Sequence, residues 1–376
     1  MSDEPKRTEV GRMTPAQVVE CADRETRLGN RLDADDRAGR HERLREYYGS
    51  VLSSRSDLQH SVCCSDEIGR HNADIVALLP REVLDRHYGC GCPLPDDDLT
   101  GLTVLDLGCG AGLDCFVAAH KVGAKGRVHG LDMTPELLAV ARRNVAPVMA
   151  AFRFERPNVD FNEGFIETAD AIPDGSVDLV ISDCVINLSP DKDEVFRTAF
   201  RVLKDGGELH FADVVADRRV PDSIASDPVL VAECLGGALY EHDLFDLMRD
   251  AGFGDPRVSR RSITASDVAG EPITFFSVVV RAFKFAAPLD RRCEDYGQVA
   301  TYRGSIAGQP ARYELDDHHV FEAGRPAPVC RNTARMLGET RLAPHFDVTP
   351  PVRHFGLFAC ATPTAAGAPA TDGCCC

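Results

Sequence analysis

The chain has 376 residues, 44% of them hydrophobic and 27% charged, enough to bury a core divided between two or three domains. A formal net charge of −17 repels phosphate backbones, and no Lys/Arg cluster is dense enough to offset it, which excludes nucleic acid as a partner. No run approaches the roughly 20 apolar residues of a membrane helix, the opening Met1-Ser2-Asp3-Glu4-Pro5 carries no apolar signal region, and 15 cysteines, an odd number, read as free thiols, ligands or redox groups in a reducing cytoplasm.

Residues 1–60 are polar and charge-rich, with helical stretches at 15–22 and 34–48, and read as a lid or wrap rather than a core. Within a domain spanning 61–220, short β-branched runs alternate with amphipathic stretches from Leu99 to about Val215. That alternation predicts an α/β, Rossmann-like parallel sheet with helices on both faces, its strands at 103–107, 127–132, 159–163, 177–182 and 208–214. Thr134-Pro135-Glu136 predicts a helix start with a capping hydroxyl before proline, continued by Leu137, Leu138, Val140 and Ala141. A further helix is expected over 191–203, stopped at Lys204-Asp205-Gly206-Gly207, where a glycine takes the left-handed backbone of a C-cap.

Residues 221–287 carry helical stretches at 223–235 and 242–251 and closing strands at 257–262 and 273–283. After Ala286-Ala287-Pro288, residues 288–358 form a small accessory α+β domain. Residues 359–376, rich in Ala, Pro, Gly and Thr and ending Cys374-Cys375-Cys376, read as a disordered tail.

The loop Asp106-Leu107-Gly108-Cys109-Gly110-Ala111-Gly112 follows one predicted strand and opens a helix. Gly108 and Gly110 let the backbone turn tightly and approach a ligand. A dinucleotide fingerprint would place its third glycine where Leu113 stands, so dinucleotide binding is disfavoured. Asp132, ending the next strand, suits the two hydroxyls of a ribose, which points to a nucleoside-type cofactor. Cys109 sits within the loop as a small space-filler among the cofactor-binding positions.

After the fourth strand the sequence reads Ser182-Asp183-Cys184-Val185-Ile186-Asn187-Leu188, without the Pro-Pro-aromatic clamp that holds an acceptor nitrogen. A cysteine at the C-terminal edge of a parallel sheet faces the cofactor crevice. Thiolates select soft, thiophilic centres, and binding through them releases protons. By extension, trivalent arsenic is a candidate acceptor, because it binds two or three sulfurs and keeps a lone pair that needs no general base.

Two alternatives have weaker sequence support. One is methylation of an organic small molecule with structural cysteines. Another is a zinc module of Cys63, Cys64, Cys90 and Cys92, whose spacing lacks paired Cys-x-x-Cys. For Cys21, Cys109, Cys115, Cys293, Cys330 and Cys360 the reading is a buried small apolar side chain.

The loop, the Gly130-Leu131-Asp132-Met133 run and Val177-Asp178-Leu179-Val180-Ile181-Ser182-Asp183 together resemble the class I methyltransferases that use S-adenosylmethionine. Tyr88-Gly89-Cys90-Gly91, Asp183 to Leu188 and Glu233-Cys234-Leu235-Gly236-Gly237-Ala238-Leu239-Tyr240 narrow the resemblance to the arsenite S-adenosylmethionine methyltransferases. A looser similarity runs through Tyr302-Arg303-Gly304 to about residue 350.

The resemblance implies that Cys184 and Cys234 hold As(III), that Cys90 joins them, and that 221–287 is the arsenic-binding segment. It also implies that Cys63 or Cys64 completes a relay of thiols supporting repeated methylation. Tyr88, Asp106, Gly108, Cys109, Gly110, Asp132, Met133, Ile166 and Asp183 are the expected cofactor positions, with Ile166 packing on adenine. Expected substrates are arsenite, its thiol conjugates and methylarsenite, with glutathione or thioredoxin as reductant and the chain acting as a monomer. The Cys63-Cys64 doublet, Cys92 and the terminal cysteines depart from the family pattern.

Overall fold

The computed structural model describes residues 34–60 and 72–360. Its centre is an eight-stranded mixed sheet made of β1 (Thr103–Leu107), β2 (Arg127–Asp132), β3 (Val159–Glu163), β4 (Val177–Asp183), β5 (Leu203–Ala216), β6 (Leu239–Tyr240), β7 (Arg257–Ser266) and β8 (Thr274–Phe283). The order is β3-β2-β1-β4-β5-β8-β7, with β6 on the end of β5. The first five strands are parallel, and β8 and β7 close the edge antiparallel.

Period-two alternation explains why these strands read as continuous apolar runs. Val104 packs into one buried cluster and Leu105 and Leu107 into another, so both faces of β1 are covered. The first cluster takes Phe116 from α2 (Leu113–Val122) and Leu138 and Val148 from α3 (Pro135–Ala151). The second takes Phe196 from α4 (Lys192–Val202) and Leu247 and Met248 from α5 (Glu241–Asp250). The helix α1 (Ala34–Glu46) precedes them in the chain.

Several local expectations change. Residues 34–60 are not only a wrap: Leu44, Tyr48 and Leu52 are buried in the same cluster as Cys90, Cys184 and Cys234. The Thr134 side chain does not cap α3; its backbone N–H instead donates to Asp132 at 2.8 Å. After Val202 the chain passes straight into β5 with Leu203 extended, so Gly206 ends no helix. Its φ of +77° serves a bend inside β5, where its N–H donates to Lys284 O at 2.8 Å. The helical stretch at 223–235 is two short pieces, Asp222–Ala225 and Pro228–Ala232. Pro228 cannot continue the first piece, and Asp227 caps the second by accepting the N–H groups of Val229 and Leu230.

Beyond β8, β9 (Glu294–Asp295) pairs with β15 (Gly356–Leu357), β10 (Gln298–Tyr302) with β13 (Pro326–Val329) and β14 (Phe346–Val348), and β11 (Arg312–Glu314) with β12 (Val320–Glu322). The helix α6 (Arg331–Gly338) packs with them over a core of Tyr302, Tyr313, Phe321, Leu337 and Phe346. A buried ionic network ties this region to the main sheet. Arg281 contacts Glu208 at 2.7 Å, and Arg341 contacts Asp97 at 2.6 Å and also reaches Glu208. Among the described residues no helix is long and apolar enough to cross a membrane.

Candidate active site

The C-terminal ends of β1, β2 and β4 open onto a cavity. Tyr88, Gly108, Cys109, Gly110, Asp132, Met133, Ile166, Asp183 and Cys184 all line it. Gly108, at φ +77°, has no room for a side chain, since a Cβ would lie 2.4 Å from Val185. Asp132 braces both sides of the crevice, accepting the Gly110 N–H and the Thr134 N–H at 2.8 Å each. The wall from 34–60 is held by Arg45, whose Nε donates to Met133 O at 2.9 Å, and by Tyr48, edge-on to Tyr88 at 5.4 Å.

Asp106 stands apart. It lies on the α2 face of β1, beneath the loop, and accepts the Cys115 thiol at 3.2 Å. Burial pushes its pKa up to about 7. The carboxyl that reaches the cavity from this side is Asp114, which sequence reasoning missed. Its Oδ1 is buried without a hydrogen-bond partner among the described residues. Burial and the neighbouring Asp106 raise its pKa well above the carboxylate range.

Cys90, Cys184 and Cys234 sit on three separate loops. Cys184 follows β4 with φ +59°, and Cys234 follows the second short helix with φ +68°, two left-handed residues that are not glycine. Such backbone strain concentrates at functional sites. The Asp183 carboxylate accepts the N–H groups of Cys90 at 2.9 Å and Gly91 at 3.1 Å, and Ser277 donates to Cys90 O at 3.0 Å. Held from both sides, the Cys90 sulfur lies within 4.8 Å of the Cys184 sulfur and of an Asp213 oxygen.

The Cys234 thiol donates to Cys184 O at 2.9 Å and is wholly buried. Gly237 lets that loop close, because a Cβ there would sit 2.1 Å from Asn187 O. Asn187 is fixed in turn by Asp213, which accepts its Nδ2 at 2.7 Å.

Glu233, adjacent to Cys234, is fully buried and accepts Tyr47 Oη at 2.8 Å and His60 N, His60 Nδ1 and Gln59 N at 2.7 Å each. Cys63 and Cys64 lie outside the described residues, as do Cys21, the 15–22 stretch and most of the 359–376 tail. The pairing of Cys90 with Cys92 that a zinc module requires is not made. Cys92 turns away toward Leu94 O, and burial pushes its thiol up to about 12.

A family model of methyltransferase domains matches residues 98–252, and one of the arsenite methyltransferase C-terminal domain matches residues 296–373. An arsenite methyltransferase of Aquipseudomonas alcaligenes is 49% identical over 327 residues, 85% of this chain and 93% of that protein. The chain belongs to the arsenite methyltransferase family. The mouse arsenite methyltransferase is 39% identical over 82% of this chain and 84% of its own length. The X-ray structure of CrArsM, an arsenic(III) S-adenosylmethionine methyltransferase from Chlamydomonas reinhardtii, superposes with a TM-score of 0.73 at 46% identity, covering 77% of this chain and 98% of that one.

This arsenite methyltransferase therefore has the class I fold and methylates arsenite with S-adenosylmethionine. The reading as a methyltransferase of an organic molecule is set aside by these relatives. The cavity suits the cofactor: Asp132 lies where a ribose needs acceptors, and the unpartnered Asp114 oxygen suits a cationic amino group.

Proposed function

We propose that this arsenite methyltransferase holds As(III) on Cys184, Cys90 and Cys234 at the C-terminal edge of β4. The observation that carries the reading is the approach of the Cys90 and Cys184 sulfurs to within 4.8 Å, beside a cavity that Cys184 itself lines. Cys234 is the third ligand, turning its thiol from the Cys184 carbonyl toward the shared centre. Tyr88, Gly108, Cys109, Gly110, Asp132, Met133, Ile166 and Asp183 form the cofactor wall, and Asp106 supports the loop from below.

When bound, S-adenosylmethionine supplies an electrophilic methyl group. The protein's task is positioning: the three thiols would hold As(III) with its lone pair toward that methyl group, and Tyr48 and Tyr88 keep water out. Transfer would form an As–C bond from the lone pair while the sulfonium S–CH3 bond breaks and its electron pair stays on the departing thioether sulfur, leaving arsenic formally two electrons poorer. Two thiols joining as a disulfide return those electrons, and glutathione or thioredoxin reduces the disulfide.

Cys63 and Cys64 are the proposed relay thiols. His60, three residues before Cys63, is bonded to Glu233, the neighbour of Cys234. The products are mono- and dimethylated arsenicals, made by a monomer in the cytoplasm.

The test is incubation with S-adenosylmethionine, arsenite and glutathione, followed by mass spectrometry of the arsenic species. Cys184→Ser and Cys234→Ser should each abolish both methylated products; wild-type yields from either would reject the ligand set. Replacing Cys63 and Cys64 together should impair methylation of arsenite more than of supplied methylarsenite, and equal losses would reject the relay.

A further inference from the structure

The cluster that brings two thiols together also contains a carboxylate. Asp213 lies on β5, and one of its oxygens is within 4.8 Å of both the Cys90 and the Cys184 sulfur. Chain geometry fixes it there. Cys184 N donates to Ala212 O at 2.8 Å, so the residue before Asp213 holds one thiol loop against β5. Gly91 closes the other thiol loop onto that same residue, since a Cβ on Gly91 would lie 2.6 Å from Ala212 Cβ.

Three N–H groups orient the carboxylate. Asn187 Nδ2 and Val214 N donate to Oδ1 at 2.7 and 2.8 Å, and Asn187 N donates to Oδ2 at 3.1 Å. Donors arranged this way favour the ionised form. Asp213, Cys90 and Cys184 are each only 3% exposed, so water does little to screen the charge.

Two simpler roles do not account for it. A hard carboxylate oxygen is a poor ligand for a soft centre that three sulfurs already satisfy. As a brace for Asn187, a neutral amide would accept the same N–H groups without the cost of burying a charge.

We propose that Asp213 is the electrostatic partner of arsenic during methyl transfer, stabilising the positive charge that develops there. The proposal rests on the reading of Cys90, Cys184 and Cys234 as the arsenic ligands. Arsenic held by three As–S bonds is neutral, and the methyl donor carries one positive charge on its sulfonium. As the lone pair forms the As–C bond, the S–CH3 pair stays on the departing sulfur, so that single charge passes to arsenic. It arrives on the atom held by the two sulfurs that Asp213 flanks. A fixed anion in a dry site favours the transition state, in which the charge has begun to arrive, over the ground state, in which arsenic is neutral. Asp213 itself makes no bond and takes no proton.

The test loads the full reduced chain with one equivalent of arsenite, desalts it, and adds S-adenosylmethionine for a single turnover. Asp213→Asn should keep its arsenic and, by X-ray absorption, its sulfur neighbours, yet transfer the methyl group about 100-fold more slowly, the scale of losing one preorganised charge-stabilising group. Asp213→Glu keeps the charge and should transfer at least about tenfold faster than Asp213→Asn. Transfer by Asp213→Asn at the unsubstituted rate would overturn the proposal. So would loss of arsenic from an Asp213→Asn variant whose circular dichroism is unchanged, because Asp213 would then serve binding. Should Asp213→Asn fail to fold, Asp213→Glu decides alone: with arsenic retained, a rate about 100-fold below the unsubstituted enzyme overturns the proposal, and a rate within about tenfold supports it. Failure of the ligand set is read separately, from an unchanged sulfur count around arsenic in Cys184→Ser.

Discussion

The carboxylate of Asp183 accepts the backbone N–H of Cys90 at 2.9 Å, so the residue before one thiol fixes the position of the other. Asp183→Ala removes that clamp and should lower arsenite methylation about 100-fold, the scale of loss expected when a reacting group is misplaced by an ångström. Asp183→Asn keeps an oxygen that can accept the Cys90 and Gly91 N–H groups, and should retain more activity than the alanine variant. Equal losses in steady-state assays would show that geometry is not what Asp183 supplies.

The left-handed backbone of Cys184 gives a second test, in which stability and activity separate. Both Cys184→Ala and Cys184→Gly lose the thiol, but only glycine relieves the strained φ of +59°. The glycine variant should be about 1 kcal/mol more stable than the alanine variant in urea unfolding, with both inactive. A more stable alanine variant would mean that the backbone is unstrained.

Glu233 anchors residues 47–60 through four hydrogen bonds from Tyr47, Gln59 and His60. Hydrogen bonds to a buried charge contribute about 1.5–3 kcal/mol each, so Glu233→Ala should speed amide exchange across 47–60 by at least about tenfold. Exchange confined to wild-type rates would dismiss the anchor.

His210 sets an acid limit. It is buried on β5 with Nδ1 2.8 Å from Pro93 O, and burial lowers its pKa to about 4. The folded state keeps it neutral while the unfolded chain takes up a proton below about 6.5, so its contribution is complete above that pH and is lost as pH falls toward 4. Between pH 7.5 and pH 5 the enzyme should lose about 2 kcal/mol through this residue. His210→Asn should flatten that part of the pH profile of stability, and an unchanged slope would refute the assignment.

The sheet was legible because strands covered on both faces are rich in apolar residues, and the Gly108 loop because it joins such a strand to a helix. Asp106 was misread at the level of facing. Alternation along β1 turns it to the α2 side with Val104, a fact visible only once the partner Cys115 is known. Cys184 and Cys234 stand out in the sequence through their motifs, but Asp213 and Asp114, which shape the site from a distant strand and helix, carry no spacing signal.

The central claim is that one arsenic atom is shared by Cys90, Cys184 and Cys234 next to the methyl donor. X-ray absorption at the arsenic edge, on reduced protein carrying one equivalent of arsenite, tests it most directly. The account predicts three sulfur neighbours, falling to two when Cys90, Cys184 or Cys234 is also replaced by serine. An unchanged sulfur count in all three replacements would contradict it.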